Sequence, residues 1–224
     1  MPKHPETWDW AASGSNDFWT QSSLVVQGCL LRWKEKGFTA FLDHCCGRGR
    51  HALCFAKHGF QVRAFDAALS GVQILEAEAV RLGLVIDSQA SDMHQLPYPD
   101  DSVDCMVSYH GIYHSTYPGL IDCLREARRV LRPNGELFLT LNSQANAKFV
   151  IAEQEERVVD GRTVYKNEPG HPEEGVPHTY LNEYDVFDVA KQSGFRVAKL
   201  QHIEDIYVVN DQPKRGWHYY CIFA

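Results

Sequence analysis

LDHCCGRGRHA, residues 42–52, decides how this chain is read. The apolar run from Phe38 to Leu42 ahead of it predicts a buried strand. Arg50 to His58, with Ala52, Leu53, Phe55 and Ala56, predicts a helix with one buried side. Between them, Gly47 and Gly49 permit a sharp turn and let backbone N–H groups approach a ligand with no Cβ in the way. Strand, glycine turn and helix in that order make a corner suited to a nucleotide. The pattern Gly47-x-Gly49-x-x-Ala52 is too short to decide the matter alone.

Two carboxylates sharpen it. Asp43 ends the strand and could accept a hydrogen bond from a cationic or amino group held over the turn. Asp66 ends the next apolar run, Val62 to Phe65, 19 positions after Gly47. That is near the spacing of about 20 at which an acidic residue meets ribose hydroxyls. With these residues the chain resembles the class I S-adenosylmethionine-dependent methyltransferases, whose signature is an acid, a glycine-rich turn and a second acid ending the second strand. The resemblance implies a Rossmann-like, doubly wound α/β fold. Its sheet would be mostly parallel and seven-stranded, with an antiparallel C-terminal edge, and S-adenosylmethionine would be the cofactor.

The resemblance also distributes roles. Asp66, with Ala67 beside it, would bind the ribose, and Asp92 with Met93 the adenine. Asp43, Cys45, Gly47 and Gly49, with the Ser108–Tyr109 backbone nearby, would face the methionyl end. The family often has glycine where Cys45 stands, and a side chain there narrows the room for that end. LREARRVLRPNGELFLTL, residues 124–141, resembles the family's helix, turn and strand after the acceptor loop.

Along the chain, residues 1–23 form an aromatic-rich leader with Trp8, Trp10, Phe18 and Trp19, read as an edge helix or a flap over the site. Residues 24–224 form the catalytic domain. Leu24 to Lys36 has helical spacing, stopped by Gly37. Ser70 and Gln73 make a capping-box pattern for the helix ending before Gly83, and Leu84 to Ile86 reads as a third strand. Val103 to Ser108 suits a buried parallel strand, Leu120 to Leu131 a helix, and Glu136 to Leu141 a fifth strand after the Pro133–Gly135 turn. About residues 143–180 the alternation breaks into a lid or substrate insertion. It holds a polar helix over Gln144 to Arg157, a hairpin with an Asp160–Gly161 turn, and a stretch rich in Gly, Pro and His. Asn182 and Asp185 cap the next helix, and Arg196–Val209 with Trp217–Phe223 close the sheet.

Ligands of open α/β sheets bind beyond the carboxyl ends of the strands. His110, Tyr113 and His114 follow the fourth strand there, and His178 and Tyr180 stand in the insertion. They are the candidates for general base or acceptor orientation, with His110, His114, His178 and Tyr113 taken as catalytic. His110 and His114 lack helical context and an obvious third ligand, so no metal is expected.

The chain has 224 residues, 44 % hydrophobic, with net charge −7 and no basic run. Such a balance disfavours a nucleic-acid partner, whose phosphates demand cations, and favours a small-molecule acceptor. Seven cysteines without a CxxC pair read as buried free thiols of a reducing cytoplasm. No signal peptide or membrane-length run is seen, and nothing excludes a homodimer. The glycine pattern with Asp66 also fits a nicotinamide-dependent oxidoreductase, and a non-catalytic cofactor-binding module is the reading from a third class. Asp43, the Asp92 loop and the Arg129–Gly135 turn favour methyl transfer over the former.

Overall fold

The computed structural model describes residues 8, 10, 20–155, 157–166, 173–209 and 212–224. A first helix, α1 (Leu24–Glu35), buries Val26, Cys29, Leu30 and Trp33, and leads into β1 (Ala40–His44), buried along its whole length. There follow α2 (Arg50–Lys57), β2 (Gln61–Asp66), α3 (Leu69–Leu82), β3 (Ile86–Ala90), β4 (Val103–Ser108), α4 (Tyr117–Val130) and β5 (Leu131–Ser143). The insertion supplies α5 (Ala147–Gln154), β6 (Val158–Val159), β7 (Thr163–Tyr165) and β8 (Pro177–Leu181). The chain closes with α6 (Glu183–Gln192), β9 (Val197–Val209) and β10 (Gln212–Phe223).

The strands β3, β2, β1, β4 and β5 pair in parallel, in that order, and β10 then β9 continue the sheet antiparallel. This is the expected doubly wound sheet with its antiparallel edge. Both faces are covered, so β1, β4 and β5 read as apolar runs. One core cluster joins Leu42, Met106, Leu124 and Phe223; the other joins Trp33, Phe41, Phe55 and Val107. Phe41 and Phe55 stack at 3.7 Å between ring centroids, fixing α2 against β1. Among the described residues no helix is long and apolar enough to cross a membrane.

The sheet extends beyond the seven expected strands. Asn142 and Ser143 of β5 pair in parallel with Tyr180 and Leu181 of β8, while Asn142 also faces His218 of β10. Since β10 takes one edge, β8 lies on the other, past the carboxyl end of β4. β7 and β6 follow as an antiparallel hairpin, with Asp160 and Gly161 both at positive φ, as its two-residue turn requires.

Several boundaries differ from expectation. The third strand starts at Ile86, not Leu84, because the Leu84 N–H is used on Ala79 O to finish α3. β3 pairs on one side only and is half-exposed, so it lacks an apolar run. Ser70 is not a cap: α3 begins at Leu69, and the Ser70 hydroxyl accepts the Trp10 N–H instead. The insertion helix is shorter than read and is capped by Asn146. The Pro133–Gly135 turn lies inside β5 as an irregularity, where the partner of β4 shifts from Leu131 to Glu136. β8 was hidden among turn residues, its Pro177 being tolerated at a strand start. The capping box at Asn182 and Asp185 forms as expected, with both reciprocal bonds present.

Candidate active site

The glycine turn is built as its residue types dictate. Gly47 (φ 56°) and Gly49 (φ 77°) have left-handed backbone, and so does Cys45 (φ 58°) just ahead of them. A side chain at such a φ is strained, which explains why the resembled family favours glycine there. Room for the Cys45 side chain comes from Gly111 on the β4 loop, where any Cβ would collide with Cys45 Cβ.

Asp43 is 1 % exposed and accepts the Ala52 N–H at 2.8 Å, which ties the first turn of α2 to β1. Burial pushes its carboxyl up to about 7, against the Ala52 N–H and Arg50. Asp66 accepts the Gly47 N–H at 2.7 Å through Oδ2 and the Ala68 N–H at 2.9 Å through Oδ1. It thus clamps the turn to the loop after β2 and Ala67. Burial raises its pKa, and those N–H groups and the Trp10 indole oppose the rise.

Most of the expected N-terminal flap lies outside the described residues, Phe18 and Trp19 included. Trp8 and Trp10 do not. Their rings lie 5.6 Å apart, and a Cβ at Gly47 or at Gly71 would come within 2.7 Å of the Trp10 ring. Trp10 therefore sits on the glycine turn.

The adenine candidates divide. The Asp92 carboxylate is exposed and accepts from the His94 N–H at 2.9 Å, with His94 Nδ1 2.7 Å away. The Met93 side chain points into the core. Ser108 is buried, bonded through its hydroxyl to His44 Nδ1 at 3.1 Å. Burial lowers His44 to about 3. His44 joins the ends of β1 and β4, a role the sequence reading missed.

Beyond β4 the structure splits the histidines into two groups that Tyr113 connects. His110 Nδ1 lies 3.2 Å from the Tyr113 hydroxyl, and its ring packs 4.9 Å from that of His218. His218 Nδ1 lies 3.2 Å from Asp205 Oδ2, which accepts the Tyr220 hydroxyl at 2.7 Å. Burial, with His218 nearby, lowers His110 to about 3. On the other side of Tyr113, His114 and His178 rings meet edge to face at 4.7 Å. Glu173 stands between their Nε2 atoms, 3.4 Å from His114 and 3.5 Å from His178. Lys166 Nζ is 3.0 Å from the same carboxylate. Burial opposes it, but the two histidines hold the Glu173 carboxyl well below the usual range.

His110 and His114 thus stand in different groups, and the residue between His114 and His178 is Glu173. Glu173, Asp205 and His218 were all missed. None stands near the β4 loop in sequence, and no local pattern marks them. The Thr179 N–H bonds to Tyr113 O at 2.9 Å and brings β8 onto the loop. Tyr180 turns away, packing on Phe149. It lines a cavity of about 440 Å³ with Lys148, Arg157, Lys166 and His178.

A Rossmann-like sheet with an acid-clamped glycine turn at the carboxyl ends of its parallel strands defines a nucleotide-cofactor-binding class. Residues 42–139 match the family profile described as a methyltransferase domain. The 2-phytyl-1,4-naphtoquinone methyltransferase of Synechococcus elongatus is 38 % identical over 97 residues, 41 % of each chain. The 27-O-demethylrifamycin SV methyltransferase of Amycolatopsis mediterranei is 26 % identical over 147 residues, 58 % of this chain and 51 % of that one. The chain thus spans about half or less of the length of these curated relatives. A solved S-adenosylmethionine-dependent methyltransferase from Methanosarcina mazei shares the fold. Its TM-score is 0.71 at 16 % identity, over 91 % of this chain and 97 % of that one. Residues 42–139 thus match a methyltransferase domain, and the fold around them is that of solved S-adenosylmethionine-dependent methyltransferases. Asp66 ends β2 beside the glycine turn, where its oxygens accept the Gly47 and Ala68 N–H groups and the Trp10 ring covers Gly47.

Proposed function

We propose that this protein methylates a small-molecule acceptor at an oxygen, by direct in-line displacement over the carboxyl ends of β4 and β5. The observation that carries this reading is the His114–Glu173–His178 cluster on the acceptor side of the glycine turn. An oxygen nucleophile must lose a proton as it is alkylated, and such a cluster is suited to handling it. The cofactor supplies a methyl group already activated on a sulfonium, which departs as a thioether. The chain's own residues have three tasks. Asp66 and the glycine turn hold the ribose and methionyl ends, Tyr113 and the histidines orient the acceptor, and the insertion excludes water.

Among the relatives, the rifamycin enzyme is named for an oxygen acceptor and the naphtoquinone enzyme for a quinone. Both names favour a hydroxylated or quinoid ring as the acceptor to try first. All seven cysteines are free, as a reducing cytoplasm would keep them.

The experiment is a transfer assay with labelled S-adenosylmethionine and a panel of phenols, hydroquinones and hydroxylated macrocycles. His178→Ala should lower transfer by about 100-fold or more while leaving S-adenosylhomocysteine affinity within about twofold, as loss of a group acting on the acceptor alone would. Equal transfer by the variant would remove the cluster from the reaction.

A further inference from the structure

We propose that His114, Glu173 and His178 bind a divalent transition-metal ion, zinc or a neighbour in the first row, which holds the acceptor's oxygen during transfer. The proposal deepens the methyl-transfer reading above and rests on it. One ligand atom from each side chain lies within 4.8 Å of the other two. Two imidazole nitrogens and one carboxylate oxygen make a donor set for zinc, iron or cobalt, and three protein ligands leave a position open for substrate. Magnesium and calcium prefer all-oxygen sites and fit poorly here.

The surroundings of His178 point the same way. Its Nδ1 lies 3.2 Å from Val176 O, and its Nε2 lies 3.5 Å from Glu173 Oε2. Both oxygens only accept, yet a neutral imidazole has a single N–H to donate. One nitrogen therefore faces an acceptor with a lone pair of its own unless the ring is protonated or a positive species stands between them. Donating Nδ1–H to a backbone carbonyl is what metal-bound histidines commonly do with their second nitrogen, and it directs the Nε2 lone pair at the cluster. Lys166 Nζ is 3.0 Å from Oε2 of Glu173, and Oε1 lies 3.4 Å from His114 Nε2.

One member of the cluster also reaches open space: His178, 9 % exposed, lines the cavity of about 440 Å³, which His114 and Glu173 do not line, and Tyr113 lies 6.3 Å from its ring. An acceptor hydroxyl entering the open position would be bound as the oxyanion, its proton passing to solvent. Its lone pair would then form the new O–C bond as the C–S bond breaks.

The test uses the untagged full chain, stripped with a chelator and titrated with Co²⁺, whose visible absorption reports nitrogen and oxygen ligation. One equivalent should bind, and Zn²⁺ but not Mg²⁺ should displace it. His114→Ala and His178→Ala should each weaken binding by about 100-fold or more, exceeding the usual loss from a supporting residue. Glu173→Gln, which keeps the shape, guards against misfolding and should weaken it too. All variants should bind S-adenosylhomocysteine as the parent does. No stoichiometric band, or a band that survives His178→Ala, overturns the metal site. If His178→Ala still lowers transfer in that case, the cluster works with protons alone and the methyl-transfer reading stands. A parent that binds one Co²⁺ through these residues but methylates no acceptor upholds the site and undoes that reading instead.

Discussion

The cofactor half and the acceptor half of this molecule are built in opposite ways. In the cofactor half, Asp43, Cys45, Gly47, Gly49 and Asp66 lie within 24 consecutive residues, on two neighbouring strands. Their contacts are backbone hydrogen bonds from Ala52, Gly47 and Ala68. In the acceptor half, His110, His114, Glu173, His178, Asp205 and His218 come from the β4 loop, the insertion and the terminal hairpin. They touch through side chains. A site made of backbone geometry leaves a local sequence pattern. One made of side chains brought from far apart does not.

That contrast can be broken by experiment, beginning with the largest effect. Asp66→Ala should weaken S-adenosylhomocysteine binding by about 100-fold or more in calorimetric titration. It would leave the buried Gly47 and Ala68 N–H groups unsatisfied, at about 1–3 kcal/mol each, and so loosen the turn. Undiminished affinity would mean that the cofactor half does not depend on its clamp.

The next effect belongs to the seam. His44 is fully buried, and its pKa falls from 6.5 to about 3 on folding. The unfolded chain therefore binds the extra proton first. This stability is complete above pH 6.5 and is lost as pH falls towards 3. At pH 5 the loss is about 2 kcal/mol by linkage. His44→Gln should lessen the fall in denaturant-measured stability between pH 6.5 and 5 by about that amount, leaving the share of the buried His51 and His110, and an unchanged slope would remove His44 as a cause.

Smaller is the pair that crosses from one half to the other. Cys45→Gly relieves a left-handed side-chain position and should raise stability by about 1 kcal/mol, or a few degrees in Tm. Gly111→Ala should destabilise the parent through collision with Cys45 Cβ, and less so in the Cys45→Gly background. Additive effects would show that the two loops are not coupled.

Smallest is Trp10→Ala. The Trp10 ring packs on Gly47, so its loss should loosen the turn, while the backbone N–H bond to Ser70 is kept. Cofactor affinity should fall several-fold, about 1 kcal/mol. A rise would mean that the leader competes with the cofactor instead of closing over it.

How much was legible follows the same division. The order of strands and helices, the glycine turn, Asp66, the Asp160–Gly161 hairpin and the Asn182 cap were all readable. Each rests on hydrophobic period, φ preference or hydrogen bonds between near neighbours. The Ser70 cap misled because the same hydroxyl serves Trp10, 60 residues away. β8 escaped notice because its pairing with β5 and β7, not its composition, makes it a strand.

The sequence by itself determined a doubly wound domain with a glycine turn and an acid at the end of each of its first two strands, because those depend on backbone geometry that residue types encode locally. Only the tertiary structure decided which histidines act together. Their partners, Glu173 for His114 and His178, Asp205 and His218 for His110, meet through sheet pairing between segments far apart in the chain. Such pairing depends on the register of the whole sheet, and no short stretch carries it.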